Sequence, residues 1–122
     1  HAVVEHGPVA ISVAAHPWAS YSSGVFDGCK GEWVIDHAVA LIGYGKDQEL
    51  GRLFYLIQNS WGPHWGEQGR IRILRQEGDE ELCGMDKQPL QGTGCKGGPK
   101  EVRVCGPCGL LYDSVVPHVR RL

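Results

Sequence analysis

Two apolar runs joined by a short polar connection constrain this chain more than any other feature. Asp36-His37 opens the first, Ala38-Val39-Ala40-Leu41-Ile42, which closes at Gly43-Tyr44-Gly45. The second, Phe54-Tyr55-Leu56-Ile57, runs into Gln58-Asn59-Ser60-Trp61-Gly62. Between them, Lys46 to Arg52 is polar and contains a glycine, which predicts a hairpin connection. With antiparallel pairing, the turn returns Asn59 to the level of His37. An imidazole then stands beside a neutral amide that accepts its ring N–H. That pair is the base and the orienter of a nucleophilic triad.

The rest of the chain supports a small, strand-rich protein. Its 122 residues suit one small domain with a modest core, and 18 glycines with 7 prolines favour strands and loops over long helices. Residues 1–6 read as the last turn of a helix stopped by Gly7-Pro8, and Val9 to Ala15 as a buried strand. Pro17 to Ser23 predicts a loop leading into a short Gly24-Val25-Phe26 strand. Cys29 to Glu32 predicts a turn, and Trp33-Val34-Ile35 leads into the histidine strand. Arg70 to Arg75 alternates like a strand with one wet face, and the acidic stretch Gln76 to Glu81 reads as solvated. A net charge of −2 gives no electrostatic case for nucleic acid or an acidic membrane surface. No apolar run approaches the roughly 20 residues of a membrane span. The chain begins at His1 without an initiator methionine or signal peptide, the pattern of a processed or partial product.

The two motifs resemble those of the papain family of cysteine proteases. Asp36-His37-Ala38-Val39 through Gly43-Tyr44-Gly45 looks like the family's histidine motif. Asn59-Ser60-Trp61-Gly62, continued by Trp65-Gly66-Glu67 and Gly69, looks like its asparagine motif. The resemblance runs from about Gly7 to Pro89 and implies an α+β fold, mostly antiparallel β: the barrel-like, right-hand domain of a papain-like fold. It places that domain at 1–92, with a cysteine-rich tail, 93–122, packed on it. It implies hydrolysis of peptide bonds by a Cys-His-Asn mechanism with no cofactor and no metal, His37 and Asn59 being catalytic. Trp61 matches the tryptophan that covers the His–Asn hydrogen bond. Gln58 departs from the family, which often carries lysine there, at a place on the far side of a strand.

In the family the nucleophilic cysteine lies in a Cys-Gly-x-Cys-Trp setting, with the histidine about 130–150 residues downstream. Only 36 residues precede His37, and no such setting occurs among them. The resemblance therefore implies a C-terminal half whose partner is the N-terminal half of the same protease, carrying the catalytic cysteine, and whose substrate is a peptide or protein. By position, Ser12, Ile35 and Ala38 match the substrate-binding wall for the side chain two residues before the cleaved bond, and Asp36 is expected to bind substrate next to it. That wall is neither narrow nor charged and suits apolar side chains. The rival reading is a catalytically inactive papain-fold subunit with a structural or peptide-binding role. The remaining histidines, His1, His6, His16, His64 and His118, have no motif around them.

Five cysteines remain to be placed. By resemblance Cys83-Gly84 looks like the partner of Cys29, which implies a Cys29–Cys83 disulfide and an oxidising compartment: lysosome, vacuole or the secreted space. Cys105-Gly106-Pro107-Cys108 has thioredoxin-type spacing, but the segment after it, Gly109 to Pro117, is β-rich and short. A zinc site from Cys95, Cys105, Cys108 and His118 has loose spacing. The preferred reading is a disulfide-pinned tail with at least one bond among Cys95, Cys105 and Cys108. Cys108-Gly109-Leu110 also resembles the family's closing Cys-Gly-aliphatic motif, as does Cys83-Gly84-Met85.

Overall fold

A computed structural model describes residues 1–92 and 94–120; Thr93, Arg121 and Leu122, which fall in the tail segment 93–122, lie outside the described residues. Helix α1 (Ala2–His6) is one short element, ended at Gly7, whose φ of 82° only glycine adopts without strain. Among the described residues there are eight strands, β1 (Val9–Val13), β2 (Val25–Phe26), β3 (His37–Lys46), β4 (Leu53–Gln58), β5 (Arg70–Leu74), β6 (Cys83–Asp86), β7 (Val102–Cys105) and β8 (Ser114–Val115). Six of them form a sheet in the order β2-β5-β4-β3-β1-β8, and β6 pairs with β7 in a separate ribbon. Every pairing is antiparallel except β2 with β5. The main sheet is open at β2 and β8 rather than closed into a barrel.

Side-chain alternation decides which face is buried. In β1, Val9, Ile11 and Val13 point inward, and in β5 Ile71 and Ile73 do the same between exposed or half-buried neighbours. Ile57 of β4 joins them, with Trp18 from the 3-10 turn His16–Ser20 and Ile35 from the approach to β3. Val104 of β7, Cys108 and Leu110 close the same core from the tail. Ile57, Ile71 and Trp18 are each 0% exposed, so truncating any one to alanine costs about 2–5 kcal/mol.

The stretch 76–81 is not simply solvated. Asp79 is 5% exposed, and its Oδ2 accepts the Tyr55 hydroxyl at 3.0 Å and the Gln76 backbone N–H at 3.0 Å. A buried carboxylate needs such donors. Sequence polarity cannot reveal them, because one comes from β4.

The disulfides also differ from the expected pairing. Cys29 bonds to Cys108, and Cys83 bonds to Cys105. The Cys29–Cys83 bridge is absent, and no bond joins Cys95, Cys105 and Cys108 to one another. Register explains the second pair: β6 and β7 place Cys83 directly opposite Cys105, with Cα atoms 4.1 Å apart. Core packing explains the first. Cys108 is 0% exposed and Cys29 6%, and the Ala14 N–H donates to the Cys108 carbonyl, which ties that turn to the end of β1. Of the two Cys-Gly-aliphatic segments, the one at Cys108 meets Cys29. With Cys105 and Cys108 each bonded elsewhere, neither a redox pair nor a zinc site can be built from them. Cys95 carries a free thiol at the surface.

Candidate active site

The sheet register assembles the site. Ala40 pairs with Gln58, so continuing one residue sets Asn59 opposite Val39, and His37 is its diagonal neighbour on the same face. The Asn59 N–H donates to the Gly69 carbonyl at 3.0 Å, which holds the residue in line with β5 after β4 has ended. Asn59 is 6% exposed, and its Oδ1 lies 2.7 Å from His37 Nε2.

A third group settles which atom of the amide faces the ring. The Ser60 backbone N–H donates to the same Asn59 Oδ1 at 2.8 Å. A backbone N–H can only donate, so the shared atom is the oxygen, and His37 Nε2 must carry the hydrogen it gives to that oxygen. The neutral ring is thereby held in its Nε2–H form, with Nδ1 bare. Among the described residues Asn59 Nδ2 is buried with no partner, so the amide is oriented at the expense of one unsatisfied donor.

Three indoles frame the pair. Trp61 stacks on His37 with centroids 5.3 Å apart and planes at 27°, while 42% of its own surface stays exposed. Trp18 meets the imidazole edge-on at 6.4 Å, and Trp65 stacks on Trp18 at 6.2 Å and meets Trp61 edge-on at 5.1 Å. Trp18 is completely buried, its Nε1–H directed at Cys108 Sγ and its carbonyl accepting the Trp65 Nε1–H at 3.2 Å. Sequence reasoning missed Trp18 as a site residue. Its only signal is Pro17, which places the indole on a 3-10 turn, and that says nothing of a partner at position 37.

The remaining motif residues are structural. Gly66 has φ 58°, and a Cβ there would meet the Arg70 carbonyl and the Tyr21 ring, so the turn accepts only glycine. Glu67 accepts two bonds from Arg72, from Nε at 2.6 Å and from Nη2 at 2.9 Å, and one from the Gly24 N–H at 3.3 Å. The Arg72 hydrogen bonds hold the Glu67 carboxyl below its usual range. Tyr21 donates to the Gly24 carbonyl at 2.6 Å, and burial pushes its hydroxyl up to about 12, so it remains a donor. Gln58 is not idle on a far face: its Nε2 donates to the Asn59 and Gly69 carbonyls at 2.9 and 3.2 Å, and its Oε1 accepts from Arg70.

Of the residues expected to bind substrate, Ser12, Asp36 and Ala38 line one open depression together with His37 and Gly92. Ser12 and Ala38 are cross-strand partners in β1 and β3. Asp36 is exposed at the rim and accepts the Ala15 N–H at 3.0 Å. Ile35 does not join them. Its side chain is 0% exposed and belongs to the core, because the Ile35 N–H is drawn to buried Asp86 at 3.2 Å and its methyl end packs over Gly109. Gly92 is required there, since a Cβ would run into the Ile35 carbonyl.

Comparison with known proteins identifies the family of this fold. The papain family cysteine protease description matches residues 1–93. The chain is 44% identical over 88 residues to chymopapain from Carica papaya, covering 69% of this chain and 24% of that protein. It is 39% identical over 102 residues to vignain from Ricinus communis, covering 76% of this chain and 28% of that one. Among solved structures, a cysteine protease of Carica candamarcensis in complex with E-64 superposes with a TM-score of 0.60 at 38% identity, covering 93% of this chain and 40% of that one. The bromelain protease of Ananas comosus, also in complex with E64, does so with a TM-score of 0.57 at 31% identity, over 88% and 38%. The chain thus spans about a quarter of the length of the curated relatives it matches. With its motifs, its sheet and these likenesses taken together, the chain belongs to the papain family of cysteine proteases.

Proposed function

We propose that this chain carries the base and the orienter of a cysteine peptidase, and that the nucleophilic thiolate comes from an N-terminal segment of the same protease. The observation that carries the reading is the 2.7 Å contact between His37 Nε2 and Asn59 Oδ1, with the amide oriented by the Ser60 N–H. Nδ1 is the ring nitrogen left free to face a thiol. A thiol is mostly protonated at neutral pH, and moving its proton to Nδ1 makes a thiolate–imidazolium pair. The thiolate attacks the peptide carbonyl, and His37 gives the Nδ1 proton to the departing amine. Water then adds to the acyl-enzyme while Nδ1 takes its proton, which releases the acid and regenerates the thiolate. Asn59 holds the ring without adding a charge, and Trp61 shields their hydrogen bond.

None of this chain's own cysteines suits the nucleophile's role. Cys29, Cys83, Cys105 and Cys108 are bonded in pairs. Cys95 lies in a separate depression formed by Lys87–Pro89 and Gly97–Lys100. Ser12, Asp36 and Ala38 form part of the wall that receives the peptide. Two disulfides suit an oxidising compartment, and we place the protease in the lysosome, the vacuole or the secreted space.

Labelling with a thiol-directed epoxide tests the reading. In the protein assembled with its N-terminal segment, the label is expected on a cysteine of that segment, at a rate that falls sharply in His37→Ala. His37-dependent labelling of one of this chain's own cysteines, or labelling of the N-terminal segment indifferent to His37→Ala, overturns it and leaves the fold as a binding scaffold.

A further inference from the structure

The connection between β6 and β7 reaches the edge of the depression that holds His37, where its Gly92 forms part of the lining. Buried Asp86, the last residue of β6, fixes it there. Its Oδ2 accepts the Ile35 N–H at 3.2 Å and its Oδ1 accepts the Gln88 N–H at 2.8 Å, so one carboxylate ties the approach to β3 to the start of the connection. The Cys83–Cys105 bridge closes the ribbon behind it, and the Pro89 carbonyl accepts the N–H groups of Gly92 and Gly94 at 3.1 and 2.7 Å. The charge of this element is one-sided. Residues 87–100 contain Lys87, Lys96 and Lys100 and no carboxylate, in a chain whose net charge is −2. All three lysines are exposed, and among the described residues none of them forms an ion pair. Lys87 and Lys100 both line an open depression of about 480 Å³, to which Leu90, 70% exposed, and Pro99 add apolar surface.

We propose that the β6–β7 connection is a recognition surface for an acidic stretch of the polypeptide substrate, with a glutamate or aspartate received by Lys87 and Lys100 and an apolar neighbour laid on Leu90 and Pro99. This rests on the proposed reading of the cleft and lies outside the wall formed by Ser12 and Ala38. Two like charges that line one depression without a counter-charge are complementary to an anion. Lysine ammonium groups on flexible stems impose no fixed fork, so the surface reads charge and accepts either acidic residue. Contiguity with the His37 depression favours the substrate as the source of that charge: a polypeptide lying beside His37 passes Gly92, which has no side chain to block it, and carries its own acidic residue to the lysines at high effective concentration. Because the Ser12–Ala38 wall receives the side chain two residues before the cleaved bond, the acidic residue stands three or more residues before it.

The test uses the chain assembled with its nucleophile-bearing segment and peptides identical around the scissile bond, with glutamate or glutamine placed in turn at each position further out on either side. Cleavage is read as kcat/KM, and non-hydrolysable isosteres of the same peptides are titrated by calorimetry. Because the lysines are open to solvent, the expected preference for glutamate is roughly fivefold at low salt, at one or two positions on the side before the bond. It should decline towards parity at about 0.5 M salt, where screening is strong. The double variant Lys87→Gln/Lys100→Gln should abolish the preference in both readouts, and Lys87→Glu/Lys100→Glu should turn it towards lysine-bearing peptides. A glutamate-to-glutamine ratio unchanged in the double glutamine variant, or a preference confined to positions after the scissile bond, overturns the proposal. So does a ratio of one in the unaltered protein, even if a sulfated oligosaccharide binds it through Lys87 and Lys100, since the surface would then serve a glycan. Discrimination in the titration without cleavage would keep the lysines in this role and refute the hydrolytic reading; cleavage without discrimination would do the reverse.

Discussion

At the His37 end of the sheet, His37, Asn59 and Trp61 each lie within three residues of an end of β3 or β4, two strands that are also consecutive in sequence. In the tail, Cys105 reaches back 22 residues for its partner and Cys108 reaches back 79. The first region is a local device. One hairpin, one register and one backbone N–H bring the ring and the amide together, so contiguous motifs suffice to specify it. The second is a long-range device, in which core packing at Cys108 and strand register at Cys83–Cys105 decide the pairing. The local device sets the His37–Asn59 pair in this chain, and the long-range ones hold the tail against the sheet.

Breaking the local device should have the largest effect. Asn59→Ala in the assembled protease should lower kcat/KM by about one to three orders of magnitude, because the tautomer of His37 is no longer enforced. The melting temperature should move far less, since the lost side chain already holds an unsatisfied buried N–H. Full activity in Asn59→Ala would show that another group orients His37.

Breaking the long-range device should cost stability first. By loop-closure entropy, replacing Cys29 and Cys108 with alanine should remove about 4 kcal/mol, and replacing Cys83 and Cys105 about 3 kcal/mol. Chemical denaturation of the two double variants checks the order. Equal losses would mean that chain entropy does not govern them. Non-reducing peptide mapping should recover the Cys29–Cys108 and Cys83–Cys105 pairs with Cys95 free; a Cys29–Cys83 peptide would contradict the fold of the tail.

The same contrast explains what could be read from residues alone. The hairpin was legible because polarity, glycine and apolar runs alternate over one stretch, 36–69. Trp18 was not, because its partners His37 and Trp65 lie on other elements. Ile35 looked like a cleft residue because it sits two positions before His37, but strand alternation does not hold in the irregular approach to β3, where buried Asp86 draws its N–H inward. The disulfide pairing was misjudged because two Cys-Gly-aliphatic segments compete in sequence, and only packing distinguishes them. The β-rich character of 109–117 was legible, but its pairing was not, since β8 is two residues long and its partner β1 lies near the other end of the chain.

The smallest effect sharpens the border between the regions. Glu67 and Arg72 tie the asparagine turn to β5, and Arg72 also reaches Asp47 at 3.1 Å. The depressed carboxyl of Glu67, caused first by the Arg72 hydrogen bonds, means that its contribution is present above the unfolded value of about 4.5 and is lost as pH falls through the lower folded value. Glu67→Gln should therefore cost about 1 kcal/mol at pH 7 and flatten the decline in stability below pH 4.5. Stability curves of the two proteins that stay parallel down to pH 3 would assign the acid limb elsewhere.

The state of the His37 ring is the most direct test of the central claim, that Asn59 holds Nε2 protonated and leaves Nδ1 free to serve a thiol. Nitrogen-15 NMR of histidine-labelled, assembled protein with its nucleophile blocked, recorded above the imidazole titration, reports which nitrogen carries the hydrogen. His37 is expected in the Nε2–H form, with an Nδ1 shift typical of a bare nitrogen, and as a mixture of tautomers in Asn59→Ala. An Nδ1–H form, or a spectrum of His37 unchanged by Asn59→Ala, would contradict that claim.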